Sequence, residues 1–148
     1  MTSEERAQIL RFMANNDIPN AHNFLVVDAG LRPSLKFGFN VLWWQFYKTF
    51  IAKPMILIFT DQQMILIRLP FSASFNSIAN LTLTDPAVQV LKFTEIQSLS
   101  VHHLNQDYSL DLQTEHGHRY FYFYVNEQRP GTQEYNFWHL ADNDFAGW

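Results

Sequence analysis

Apolar residues in this chain change their spacing from helical to alternating about a third of the way along. Ile9, Leu10 and Met13 form a narrow stripe at helical spacing, which predicts an N-terminal helix. Thr2 followed by Glu5 supplies a capping box at its start, and "NNDIPN" ends it. "NFLVVDAG" reads as a first strand. In and just before "VLWWQFYKTFIAKP", Phe39, Leu42, Trp43, Phe46, Tyr47 and Phe50 recur at steps of three and four, which favours helix over strand; Pro54 closes it.

From Pro54 onward the pattern is β. "MILIF" and "MILIR" flank "TDQQ" and read as a hairpin. If Thr60 pairs with Gln63, then Phe59 faces Met64, Ile58 faces Ile65 and Leu57 faces Leu66. Ile56, Ile58, Ile65 and Ile67 then share one sheet face, and Leu57, Phe59, Met64 and Leu66 the other. A half-exposed hairpin would alternate with polar residues, so this one needs a cover on both sides. The N-terminal helix, the Trp43 segment or a second subunit are the candidates.

"SFNSIAN" is loop-like, "LTLT" reads as a short strand, and "AVQVLKF" as another. "EIQSLSVHHL" has an irregular step after Ile96 that predicts a bulge. "DYSLDLQ" and "RYFYFYV" alternate around "TEHGH", where Gly117 can take positive φ. Phe121, Phe123 and Val125 are expected to face the core, and Tyr120, Tyr122 and Tyr124 the wetter side. Thr132 is expected to cap a C-terminal helix over residues 132–141 that buries Tyr135, Trp138 and Leu140 or Ala141, and "DNDFAGW" to be irregular. The expected fold is mainly β with peripheral helices: a partly open antiparallel barrel of about seven strands with a C-terminal helix. It forms one domain, 1–148, with a helical arm over 1–16 and the barrel over 22–126.

Three pieces in this order are similar to bacterial pleckstrin-homology-like domains, including the GRAM-type domains. They are "ILIFTDQQMILI", "VLKFTEIQSLSV" and "YSLDLQTEHGHRYFYFYV", together spanning Met55 to Val125. The resemblance implies a strongly bent antiparallel sheet with a C-terminal helix plugging one end. Those domains usually follow the Thr-Asp turn with basic residues, whereas Gln62 and Gln63 stand here, so anionic-ligand binding is not carried over.

Composition narrows function mainly by exclusion. Hydrophobic residues make up 47% and charged residues 16%, which leaves apolar surface for a partner or a second copy. The net charge of -4 and the scattered Lys and Arg argue against nucleic acid. Without cysteine there is no disulfide, thiolate metal site or cysteine nucleophile, and the cytoplasm is the default location. No run reaches the roughly 18 apolar residues of a spanning helix.

His102-His103 and His116-Gly-His118 lack metal-ligand spacing, and His102 and His103 should point to opposite faces. Asp107, Asp111 and Glu115 read as a solvated hairpin face rather than paired catalytic carboxylates. No "GxSxG" elbow or phosphate-cradling glycine loop occurs. No catalytic, metal or cofactor residues are therefore assigned. Trp43, Trp44, Phe46 and Tyr47 are the partner-binding candidates, because Trp and Tyr are enriched at interface hot spots. The expected role is a non-enzymatic binding or assembly module acting on a protein partner or as a homo-oligomer, through that segment or a sheet edge. Lipid-headgroup binding, disfavoured by the missing basic cluster, and a small-ligand or enzymatic barrel are the alternatives; no specific small molecule is implied.

Overall fold

The structure is a computed structural model, and it describes residues 1–19, 21–31, 53–69, 75–104, 107–126 and 131–147. Seven antiparallel strands form one sheet: β1 (Phe24–Gly30), β2 (Lys53–Phe59), β3 (Gln63–Arg68), β4 (Val88–Lys92), β5 (Ile96–Leu104), β6 (Asp107–Thr114) and β7 (Gly117–Tyr124). Their order is β4-β3-β2-β1-β7-β6-β5, so β1 is central and the two edges are β4 and β5. Helix α1 (Ser3–Asn15) precedes the sheet, and α2 (Thr132–Asp142) follows it. The expected partly open, mainly β architecture with peripheral helices is what forms.

The doubled phrase is a hairpin in the expected register, with Phe59 opposite Met64, Ile58 opposite Ile65 and Leu57 opposite Leu66. Thr60 makes the turn: its hydroxyl donates to the Gln63 carbonyl (2.8 Å) and accepts from the Gln63 amide (3.0 Å). The two faces enter separate cores. Leu57, Phe59, Met64 and Leu66 join Leu110, Leu112, Phe121 and Phe123 inside the curved sheet, closed by Phe137 and Leu140 of α2. Ile56, Ile58, Ile65 and Ile67 lie outside, buried beneath Ile9, Phe12 and Met13 of α1 and Ile78 of a 3-10 helix, Phe75–Asn80.

The cover over the second face therefore comes from the same chain. Each of those four isoleucines is fully buried, which contributes about 1.5–3 kcal/mol per side chain. Helix α1 can do this because its start is satisfied locally. The Thr2 hydroxyl accepts from the Glu5 amide (3.2 Å), and the Glu5 carboxylate accepts from the Thr2 amide (2.5 Å). Asn15 and Asn16 tie its end to the 3-10 helix segment through the Ala79 and Leu81 carbonyls.

Five local expectations differ from what forms. Helix α2 does not bury Tyr135 and Trp138: both are exposed, because Phe137, Leu140 and Asn136 occupy its inner face. "LTLT" is not a strand: Asn16 engages the Leu81 carbonyl, the Thr82 and Thr84 hydroxyls pair at 3.1 Å, and Asp85 organises a turn into β4. Tyr122 is buried rather than wet, because its hydroxyl donates to the Leu31 carbonyl (2.6 Å). Gly131, not Thr132, is the N-cap of α2. "DNDFAGW" contains a short helical turn, Asp144–Gly147, whose Phe145 ring stands edge-on to Phe59. The bulge after Ile96 is present as a register shift between Ile96 and Ser98.

Candidate interaction site

The site grows from a gap in the sheet. Strand β1 pairs with β2 from Phe24 to Ala29, but with β7 only at Asp28, Ala29 and Gly30. The first half of β1 thus has a main-chain edge that β7 does not reach. Unpaired amides and carbonyls there would be costly to bury. Helix α2 supplies their partners with side chains one turn apart. The Gln133 amide group accepts from the Val26 N–H (3.1 Å) and donates to the Val26 carbonyl (2.7 Å). The Asn136 side chain, fully buried, donates to the Phe24 carbonyl (3.0 Å).

Glu134 anchors the same turn from the other side. Its carboxylate accepts from the Asn126 amide (2.9 Å) and the Gly131 amide (2.8 Å). Burial pushes its pKa up, but the backbone N–H groups of Asn126, Glu134 and Gly131 and the chain's amino terminus outweigh that and hold it below the usual carboxylate range. The polar residues on the inner face of α2 are thereby committed to holding the helix on the seam.

An open cleft of about 570 Å³ lies along this seam, between the start of α1 and the start of α2. Val26, Asp28, Tyr122 and Tyr124 form one wall, with Glu5 and Glu134 from the two helices. Two of its three carboxylates, Glu5 and Glu134, already cap backbone amides. The outward face of α2 is different. Tyr135 (58% exposed) and Trp138 (43%) project from it, and Tyr124 (53%) stands beside its first turn. His22 packs edge-on against Tyr135 at 4.7 Å and lies 5.8 Å from His139. The result is an aromatic pair, Tyr135 and Trp138, on a helix fixed to β1 by three side-chain hydrogen bonds and to the segment after β7 by a fourth.

The other singled-out residues are dispersed. His102 pairs across from Ser109, while His103 stacks on Tyr108 at 4.6 Å on the opposite face. His118 meets Asp111 at 3.0 Å on the outer surface, and His116 lies beside Glu115 at the exposed turn. Among the described residues no three His, Asp or Glu side chains gather as a metal site, and no helix is long and apolar enough to cross a membrane. Trp43, Trp44, Phe46 and Tyr47 lie outside the described residues. The exposed patch of Tyr135 and Trp138 departs from the expectation that this helix buries both residues. Its signal was present in "EYNFWHL", where Tyr135 and Trp138 are three apart and therefore share a helix face.

No protein-family model, no curated protein and no solved structure matches this chain.

Proposed function

We propose that the protein is a non-enzymatic, cytoplasmic binding module of the pleckstrin-homology-like kind that docks another protein. The observation that carries this reading is the exposure of Tyr135 and Trp138 on a helix whose inward polar groups are all used to hold it in place. Large aromatics on a rigid element are the residue types that dominate protein interfaces, because they bury much area while losing little rotamer freedom. Their burial in this chain has been forgone, whereas Phe137 and Leu140 of the same helix are buried. The engaged state of Glu5 and Glu134 supports binding over acid–base chemistry in the neighbouring cleft.

The test is comparative capture from a lysate with the wild-type chain and with Tyr135→Ser/Trp138→Ser, both checked for folding by circular dichroism. A protein enriched by the wild type and lost by the double variant is expected. Identical capture profiles would overturn the docking role of this face.

A further inference from the structure

The two edges of the sheet are built differently. Edge strands expose unpaired main-chain groups, and proteins blunt them with short length, charge or proline. Strand β4 has all three devices: it is five residues long, ends on Lys92 and follows Pro86. Strand β5 is nine residues long, IQSLSVHHL, with no Lys, Arg, Asp, Glu or Pro. Among the described elements only β6 pairs with it.

The direction of its free groups follows from the neighbouring hairpin. Thr114 and Gly117 close a two-residue turn and form a hydrogen-bonded pair, after which bonded pairs alternate along β6. Residues Leu112 and Leu110 therefore bond to β7, while Asp111 and Ser109 turn their main chain to β5. On β5, Ser100 and His102 answer them. The N–H and carbonyl groups of Leu99, Val101 and His103 then face the open edge.

We propose that this edge pairs with the same strand of a second copy, antiparallel about a twofold axis at Ser100, deepening the binding-module reading on which it rests. That register places Leu99 opposite Val101 of the copy, and both residues have outward main-chain groups, so they match as bonded pairs. Leu99 and Val101 pack against the inner core but are only half-buried, and among the described strands none lies on their outer side. The copy continues the apolar row on that face. On the outer face Ser100 meets Ser100, and Ser98 meets His102. Charge does not oppose the pairing: Asp111 of one copy lies three strand spacings from its equivalent, about 14 Å. That exceeds the Debye length of about 8 Å at physiological salt. The buried area of one strand pair falls below the roughly 1,200 Å² of a standard interface, so the association is weak and concentration-dependent.

Sedimentation velocity over a dilution series tests this, with the wild type and Ser100→Lys. The substitution places two lysines against each other at the axis on an exposed position. A monomer–dimer equilibrium is expected, weakened at least tenfold by the substitution. A strict monomer, or a dimer that Ser100→Lys leaves unchanged, overturns the pairing. Amide hydrogen exchange on the wild type decides the matter without any variant. Leu99, Val101 and His103 should slow as concentration rises, while Ser100 and His102 do not; exchange indifferent to concentration refutes it. The Tyr135→Ser/Trp138→Ser chain should still dimerise, which separates failure of the aromatic docking face from failure of the strand pairing.

Discussion

The side-chain amide of Gln133 stands in for a strand opposite Val26. It accepts the Val26 N–H at 3.1 Å and donates to the Val26 carbonyl at 2.7 Å, as a paired β residue would. With Asn136 on the Phe24 carbonyl, it continues the sheet where β7 has diverged, and so makes α2 part of the barrel wall. An amide side chain suits this because it carries a donor and an acceptor in one plane.

Replacing Gln133 with Ala removes both partners and leaves two partly buried main-chain groups unsatisfied. A loss of about 1–3 kcal/mol is expected from urea unfolding. Gln133→Glu keeps the acceptor for the Val26 amide but sets a carboxylate oxygen against the Val26 carbonyl. It should be no more stable than the alanine variant at neutral pH. Unfolding midpoints of both variants within error of the wild type would show that the seam does not depend on this contact.

Glu134 should make stability fall in acid. Desolvation acts to raise its pKa, but the amides of Asn126, Glu134 and Gly131 prevail and lower it in the folded state. A carboxyl whose folded pKa lies below its unfolded value binds more protons when unfolded, so its contribution is complete above the unfolded pKa. It is lost as pH drops from the ordinary carboxylate range through the depressed folded value. Urea midpoints measured from neutral pH downward should fall more steeply for the wild type than for Glu134→Gln. Parallel curves would remove Glu134 from the acid response.

How legible this was depends on how local the cause is. The hairpin register was readable because Thr60 and Gln63 close a short turn and side chains alternate with period two, so one pairing fixes every facing residue. The capping box at Thr2 and Glu5 and the bulge after Ile96 are equally local. Tyr122 was misread because alternation predicts a face, not what lies on it; the Leu31 carbonyl that receives its hydroxyl is 91 positions away in sequence. "LTLT" alternates like a strand, yet Asn16, 65 positions earlier, takes the Leu81 carbonyl. The aromatic face of α2 was misread: the spacing of Tyr135 and Trp138 implies a shared face, but the expected burial fails because Gln133 and Asn136, docked on β1, turn that face outward.

Gly117 should resist substitution for conformational reasons alone. Its φ of +116° lies where L side chains are rarely found, and a Cβ there would meet nothing within 4 Å. Gly117→Ala should therefore destabilise by about 1–3 kcal/mol through backbone strain, not collision. The turn joins β6 to β7, so the Phe121 and Leu110 amides should exchange faster in the variant. Unaltered stability would mean that the turn relaxes to another type without disturbing the register.

The α1 cover makes the firmest structural prediction. Phe12 is fully buried against the outer isoleucines, and Phe12→Ala should lower stability by about 3–5 kcal/mol, the range for truncating a buried aromatic. Removing residues 1–16 altogether has a different signature. It uncovers Ile56, Ile58, Ile65 and Ile67 on a sheet whose inner core is still intact. The shortened chain should bind a hydrophobic dye and self-associate while retaining its β circular dichroism, because exposed contiguous apolar surface drives aggregation. If it instead stays monomeric, without dye binding, α1 is not the main cover of that face. Because α1 occupies this face, association of the intact chain is expected to use other surfaces, so Phe12→Ala and Ser100→Lys should act independently on stability and on dimerisation.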